Sequence, residues 1–292
     1  MAREPGSAPL LPEGRTVVLP GRGATYVREV EGPPGAPVLV LLHGWTASSA
    51  LNWFPCFEPL GRHFRVLAPD LRGHGQGIRS RQFRLEDCAD DVACLAEQLG
   101  IRNVIAVGYS MGGPVAALTW YRHRSLVQGL VLCATAARFL EHRPRHRMAS
   151  QSLVSLSVAA SMSPVAWRRQ AMDRLVTNHL VGTRYSTWAS EELGRNDPAL
   201  ILRAGASLGR YDARGWIRTV DVPTAVVVTG QDQVVPPSSQ LWLAGAIPGA
   251  ETFGVAGPHA VCVLGAARFV PVLVSACQSV ARRAAGRGSP GT

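Results

Sequence analysis

The residues with the most chemistry to offer are a serine among glycines, Gly108-Tyr109-Ser110-Met111-Gly112-Gly113. A serine hydroxyl is a weak nucleophile until a general base takes its proton, and the base in turn needs an acid to orient it. Ser110 follows an apolar run, NVIAV at 103–107, and precedes an Ala-rich segment, VAALTWY at 115–121. A strand, a sharp turn and a helix are expected there. In that setting Gly-x-Ser-x-Gly is a nucleophile elbow: the serine takes a strained backbone, and the flanking glycines let strand and helix approach closely. The stretch by itself leaves two readings open, a nucleophile or an ordinary serine in a tight connection.

Partners are found by counting strands. Asp232 follows a late apolar run in VVVTGQDQVVPP, and His259 follows the last one in FGVAGPHAV. Serine, acid, histidine is the chain order expected of such a triad on an open parallel sheet. Taken singly, Asp232 also reads as a cap for a helix starting near Pro236, and His259 as a solvated loop histidine. No better acid offers itself: after the strand ending at Ala134 the first is Glu141, while Asp212 and Asp221 precede their strand.

An acyl-transfer site also needs backbone N–H donors for the oxyanion. Met111, directly after the serine, is one candidate. Trp45, in HGWTASS at 43–49, is the other. His43 precedes the serine and reads as a structural hydrogen-bonding residue. Trp45, Trp53 and Phe54 read either as core or as the wall of a substrate pocket. Asp70, Arg72 and His74, in PDLRGHG at 69–75, read as organisers of a loop. The mechanism requires neither a metal nor an organic cofactor.

The elements that must carry these residues are legible as runs. RTVVLPG at 15–21 and ATYVREV at 24–30 predict an antiparallel hairpin. Continuous apolar runs at 38–44 and 64–70 predict strands buried on both faces, and 103–108, 126–134, 224–230 and 251–257 read as further strands of the sheet. Leu85, Cys88, Val92, Leu95 and Leu99 share one face of a helix over 85–100. Further helices are expected over 111–124, 236–246 and 261–283. Strands alternating with helices predict an α/β protein: a mostly parallel, doubly wound eight-stranded sheet with an inserted α-helical cap. The sheet domain covers 1–135 and 212–283. The cap covers 136–211, where MASQSLVSLSVAASM, AWRRQAMDRLVTNHL and DPALILRAGASLG read as helices. Residues 284–292 read as a disordered tail.

The chain has 292 residues, 47% of them hydrophobic and 17% charged, enough for one large core. Its six cysteines form no CxxC pair or metal-ligand spacing. Free thiols in a reducing cytoplasm are the expectation. The start lacks the apolar run of a secretory signal, and the nearest candidate for a membrane span, 260–277, is interrupted by Arg268 and Pro271. The net charge is +10, and all 30 basic residues are arginine, a bias of coding rather than of partner choice. The clusters RSRQFR at 79–84 and RFLEHRPRHR at 138–147 lack the interleaved aromatics of a nucleic-acid reader. Peripheral contact with an anionic surface is the weaker alternative to a solvated face.

HGW at 43–45, PDLRGHG at 69–75, GYSMGG at 108–113, PTAVVVTGQDQVVP at 223–236 and GPH at 257–259 together resemble the α/β-hydrolase fold family. The resemblance covers roughly residues 24–135 and 212–283. Within it, HGW with GYSMGG is similar to the serine-nucleophile branch of carboxylesterases and cofactor-free haloperoxidases (perhydrolases). Branches with an aspartate nucleophile do not match Ser110. Gln76-Gly77 after PDLRGHG, and Pro258 before His259, depart from the usual pattern without removing a catalytic group. The resemblance implies a Ser110–Asp232–His259 triad that cleaves a small carboxylic ester or lactone through an acyl-enzyme. Peracid formation, carbon–carbon bond hydrolysis and a catalytically silent ligand-binding role are the alternatives.

Overall fold

The computed structural model describes residues 8–139 and 185–287. Among these, eight strands form one sheet. They are β1 (Gly14–Leu19), β2 (Gly23–Val30), β3 (Val38–Leu42), β4 (Arg65–Pro69), β5 (Val104–Tyr109), β6 (Val127–Cys133), β7 (Thr224–Thr229) and β8 (Glu251–Val255). Their order is β1-β2-β4-β3-β5-β6-β7-β8. β2 runs antiparallel to both β1 and β4, and every other pairing is parallel.

The parallel strands are apolar on both faces because each face meets a separate core. Val40, Leu42, Ala106, Leu130, Leu132 and Val226 belong to one cluster. Leu39, Leu41, Ile105, Val107, Val131 and Val227 alternate with them and belong to the other. The first core is closed by α3 (Leu85–Gln98) and α4 (Gly112–Arg122), with Cys88, Val92, Leu95 and Val115 turned inward. The second is closed by α1 (Ser49–Trp53) and α2 (Phe57–Gly61), through Trp53, Phe57 and Leu60, and by the long C-terminal helix.

Between β6 and β7 the chain leaves the sheet. Two helices of the expected cap, at 148–162 and 166–180, lie outside the described residues. The third is present as α6 (Pro198–Arg210), preceded by α5 (Ser186–Gly194). Asp197 caps α6 by accepting from the N–H groups of Ala199 and Leu200, with Pro198 at the first helical position. After β7 comes α7 (Pro237–Ala246).

Two expectations need correction. The helix over 261–283 is split into α8 (Val261–Leu264) and α9 (Ala266–Arg287), with Gly265 between them. A Cβ at Gly265 would come within 2.7 Å of Val261 Cγ2, so a side chain there would displace the Val261 methyl at the close turn between the two helices. α9 also continues through Arg287, so residues 284–287 are helical rather than part of a tail. No helix among the described residues is long and apolar enough to cross a membrane.

Candidate active site

The sheet order reverses direction between β3 and β5, since the chain runs from β3 outward to β4 and returns to β5 on the opposite side. Ligand sites in open α/β sheets form beyond the carboxyl ends of strands at such a switch point. Ser110 directly follows β5 there, and the HGW loop leaves β3 beside it.

Ser110 has φ +53°, a left-handed conformation that a non-glycine residue adopts at a cost. The turn is held by Ser110 N–H donating to Cys133 O at 2.9 Å, by Gly113 N–H donating to Ser110 O at 3.0 Å, and by Thr135 Oγ1 donating to the same carbonyl at 2.8 Å. The glycines are sterically required. A Cβ at Gly108 would lie 2.2 Å from Gly112 O, and one at Gly112 would lie 2.0 Å from Leu42 O. Strand and helix cross too closely for any side chain at either position. Ser110 therefore stands at the amino end of α4, where the helix dipole favours negative charge.

Three side chains meet across long sequence separations. His259 Nε2 lies 2.9 Å from Ser110 Oγ, and His259 Nδ1 lies 2.7 Å from Asp232 Oδ2. A carboxylate on Nδ1 requires the proton there, which leaves the Nε2 lone pair facing the hydroxyl. Asp232 is held on every side. Its Oδ1 accepts from the N–H groups of Val234 and Val235 at 2.8 and 2.9 Å, and its Oδ2 accepts from Thr229 Oγ1 at 2.7 Å. Burial works against its charge. The hydrogen bonds from His259, Val235 and Thr229 and the nearby imidazole outweigh that and lower its pKa.

Two supporting residues carried no signal in the sequence. Gln240, fully buried on α7, donates from Nε2 to Thr229 Oγ1 and Val235 O, both at 2.7 Å, and accepts from Thr229 N–H at 3.0 Å. It fixes the loop that carries Asp232. Tyr109 donates its hydroxyl to His259 O at 2.5 Å, pinning the histidine loop against β5. Burial pushes the Tyr109 phenol well above its ordinary value, so it remains a donor. Glutamine on a helix and tyrosine in a strand are each compatible with plain packing, and only the folded geometry singles them out.

Among the described residues, no acceptor meets the Trp45 or Met111 N–H. A Cβ at Gly44, the residue before Trp45, would lie 3.5 Å from Ser110 Cβ, so this loop abuts the serine. His43 is fully buried, its Nε2 accepting from Leu71 N–H and its Nδ1 donating to Gly44 O, both at 2.9 Å. It ties the loops after β3 and β4 together. Asp70 accepts from Ser49 N–H and Gln76 N–H, Arg72 binds Asp91 through two hydrogen bonds, and His74 lies 2.7 Å from Arg72 O. All three organise the loop, as expected.

The aromatic trio separates. Trp53 is fully buried in the core, edge-on to Tyr109. The turn of α1 that directs it inward is too short to read from sequence. Phe54 packs edge-on against Tyr185 and Trp188, joining α1 to α5. Trp45 is 37% exposed, and its indole N–H donates to Ile201 O on α6 at 2.8 Å.

A family model for the alpha/beta hydrolase fold matches residues 37–180. The chain is 25% identical over 256 residues to the proline iminopeptidase PfmaB of Pestalotiopsis fici, covering 79% of this chain and 88% of that one. It is 27% identical over 237 residues to a pimeloyl-[acyl-carrier protein] methyl ester esterase of Nitrosomonas europaea, covering 79% and 90%. The enol-lactonase of Burkholderia xenovorans LB400 superposes with a TM-score of 0.74 at 23% identity, covering 90% of this chain and 100% of that one. The sheet order, the elbow and these matches agree: the chain is an enzyme with the α/β-hydrolase fold.

Proposed function

We propose that this enzyme is a serine hydrolase that cleaves a small carboxylic ester or lactone through an acyl-enzyme on Ser110. The observation that carries the reading is the continuous hydrogen-bond chain Ser110 Oγ–His259 Nε2 at 2.9 Å and His259 Nδ1–Asp232 Oδ2 at 2.7 Å. In the first half-reaction His259 takes the Ser110 proton as Oγ attacks the acyl carbonyl. The negative charge gathers on the carbonyl oxygen, where the N–H groups of Met111 and Trp45 stabilise it. His259 then returns the proton to the leaving alkoxide. In the second half-reaction His259 deprotonates a water that attacks the acyl carbon, and Ser110 leaves with the proton. Asp232 stays ionised throughout, holding the imidazole tautomer and stabilising the imidazolium.

The relatives named as a methyl ester esterase and an enol-lactonase support an acyl substrate of this class. The test is a panel of p-nitrophenyl esters of increasing acyl length, with Ser110→Ala as the control. Wild-type protein turns over at least one member, and Ser110→Ala falls by about 10⁴-fold or more in kcat. Equal turnover by the two proteins would contradict the mechanism.

A further inference from the structure

The loop that brings Trp45 beside Ser110 is strained, and the group that restrains it comes from a segment 150 residues away. Thr46 has φ +67°, a conformation that a β-branched residue rarely adopts. Its carbonyl oxygen accepts a hydrogen bond of 2.6 Å from Asn196 Nδ2. The Oδ1 of the same amide accepts from Gly75 N–H at 2.8 Å. Asn196 is 6% exposed, so both ends of its amide are committed, one to the loop after β3 and one to the loop after β4. The preceding residue is held from the same segment. The Trp45 indole N–H donates to Ile201 O at 2.8 Å, and the ring lies over Gly205, where a Cβ would come within 2.6 Å of Trp45 Cζ2. Asn196 holds the Thr46 carbonyl, while Ile201 and Gly205 hold the Trp45 side chain.

We infer, building on the serine-hydrolase reading above, that Asn196 is a positioning residue for the oxyanion site. It holds the Thr46 carbonyl, and with it the strained turn that aims the Trp45 N–H at the oxygen developing charge over Ser110. A donor contributes to rate only as far as its direction is set before the charge appears. Onward from Thr46 the chain is fixed, because Ser49 N–H and Oγ both donate to Asp70 Oδ1. On the other side Gly44 N–H donates to Asn52 Oδ1 at 2.9 Å, so relaxation of Thr46 to negative φ falls on the peptides between these two anchors, next to the Trp45 N–H. The ground-state fit of a substrate depends little on this donor, so its loss acts on the chemical step.

The decisive variant is Asn196→Asp. It keeps an oxygen for Gly75 N–H and replaces the donor to Thr46 O with a repelling carboxylate oxygen. Turnover of a p-nitrophenyl ester is measured per active site, with sites counted by a fluorophosphonate probe, so that misfolded protein does not enter kcat. Asn196→Asp lowers kcat per site by about 10- to 100-fold, part of the loss expected for removing a whole oxyanion donor, with KM within about threefold. In a Thr46→Gly background the same change costs less than about threefold, because glycine keeps positive φ without restraint. Asn196→Ala, which also removes the donor, serves the same comparison if Asn196→Asp does not fold. A purely structural role for Asn196 lowers thermal stability and the number of labelled sites, while kcat per site stays constant. Wild-type kcat per site in both Asn196 variants, or an equal loss in the Thr46→Gly background, overturns the inference alone. Wild-type protein that neither labels nor turns over any ester overturns the hydrolase reading itself, and the inference with it.

Discussion

Asp232 illustrates how much of the proposed chemistry rests on one proton's position. Five contacts converge on its carboxylate: two backbone N–H groups, Thr229, His259 and, at 3.4 Å, Gln240. Its lowered pKa keeps it ionised at neutral pH. Asp232→Asn preserves shape but can present an N–H to His259 Nδ1, which favours the wrong tautomer. A loss of about 10⁴-fold in kcat is expected, with KM changed little. The sign of the linked stability follows from the depressed pKa. The charged carboxylate contributes stability above its unfolded value of about 3.9, and that contribution is lost as pH falls through the lower folded value. Denaturant melts of Asp232→Asn therefore fall less steeply than wild type at acid pH. Kinetics and melts on one preparation check both expectations.

At the scale of elements, Ser110, Asp232 and His259, which the structure brings together, were legible because they follow strand ends, and the strands announce themselves. Leu39–Leu42 and Val104–Val107 are apolar at every position because each strand is covered on both faces. Counting strands located Asp232 and His259 without any contact information. The elements that escaped are short or punctuated. α1 and α2 have five residues each, too few for a helical period to emerge, so the sequence left Trp53 open between core and pocket wall, and the structure packs it in the core. The break at Gly265 leaves the apolar pattern of α8 and α9 continuous. Asn196 and Gln240 act through hydrogen bonds between distant segments, which leave no periodic trace. The elbow makes a prediction at this scale. Gly112→Ala drives a methyl group into Leu42 O, which is β3 backbone and cannot step aside. A loss of about 1–3 kcal/mol or more in unfolding free energy is expected, together with slower phosphonate labelling of the folded fraction. Wild-type stability and labelling in Gly112→Ala would show that strand and helix can part at no cost.

Across the whole molecule, two buried histidines set a limit on acid stability. His74 is fully buried beside His43, with ring centroids 5.2 Å apart. Burial, and then the neighbouring His43, lower its pKa to about 3. Burial likewise lowers the pKa of His43, opposed by the Asp70 charge and by Gly44 O. A histidine near 6.5 when unfolded and about 3 when folded costs nothing at neutral pH. Below about 6.5 the unfolded chain binds the proton and the folded one does not, so stability falls by up to about 1.4 kcal/mol per pH unit for this residue, until the folded value is reached. His74→Gln keeps an N–H for Arg72 O and removes that dependence. Its unfolding free energy declines more gently than wild type between about pH 6 and about pH 4. Parallel curves for the two proteins would contradict the account of His74. The central claim, that Ser110 is the nucleophile, is read most directly on the intact protein. A fluorophosphonate is added to native enzyme at neutral pH, and the mass of the whole chain and of its peptides is measured. The account predicts one adduct per molecule, located on Ser110, absent after unfolding and absent in Ser110→Ala. No adduct on folded wild-type protein, or an adduct of equal yield in Ser110→Ala, would contradict it.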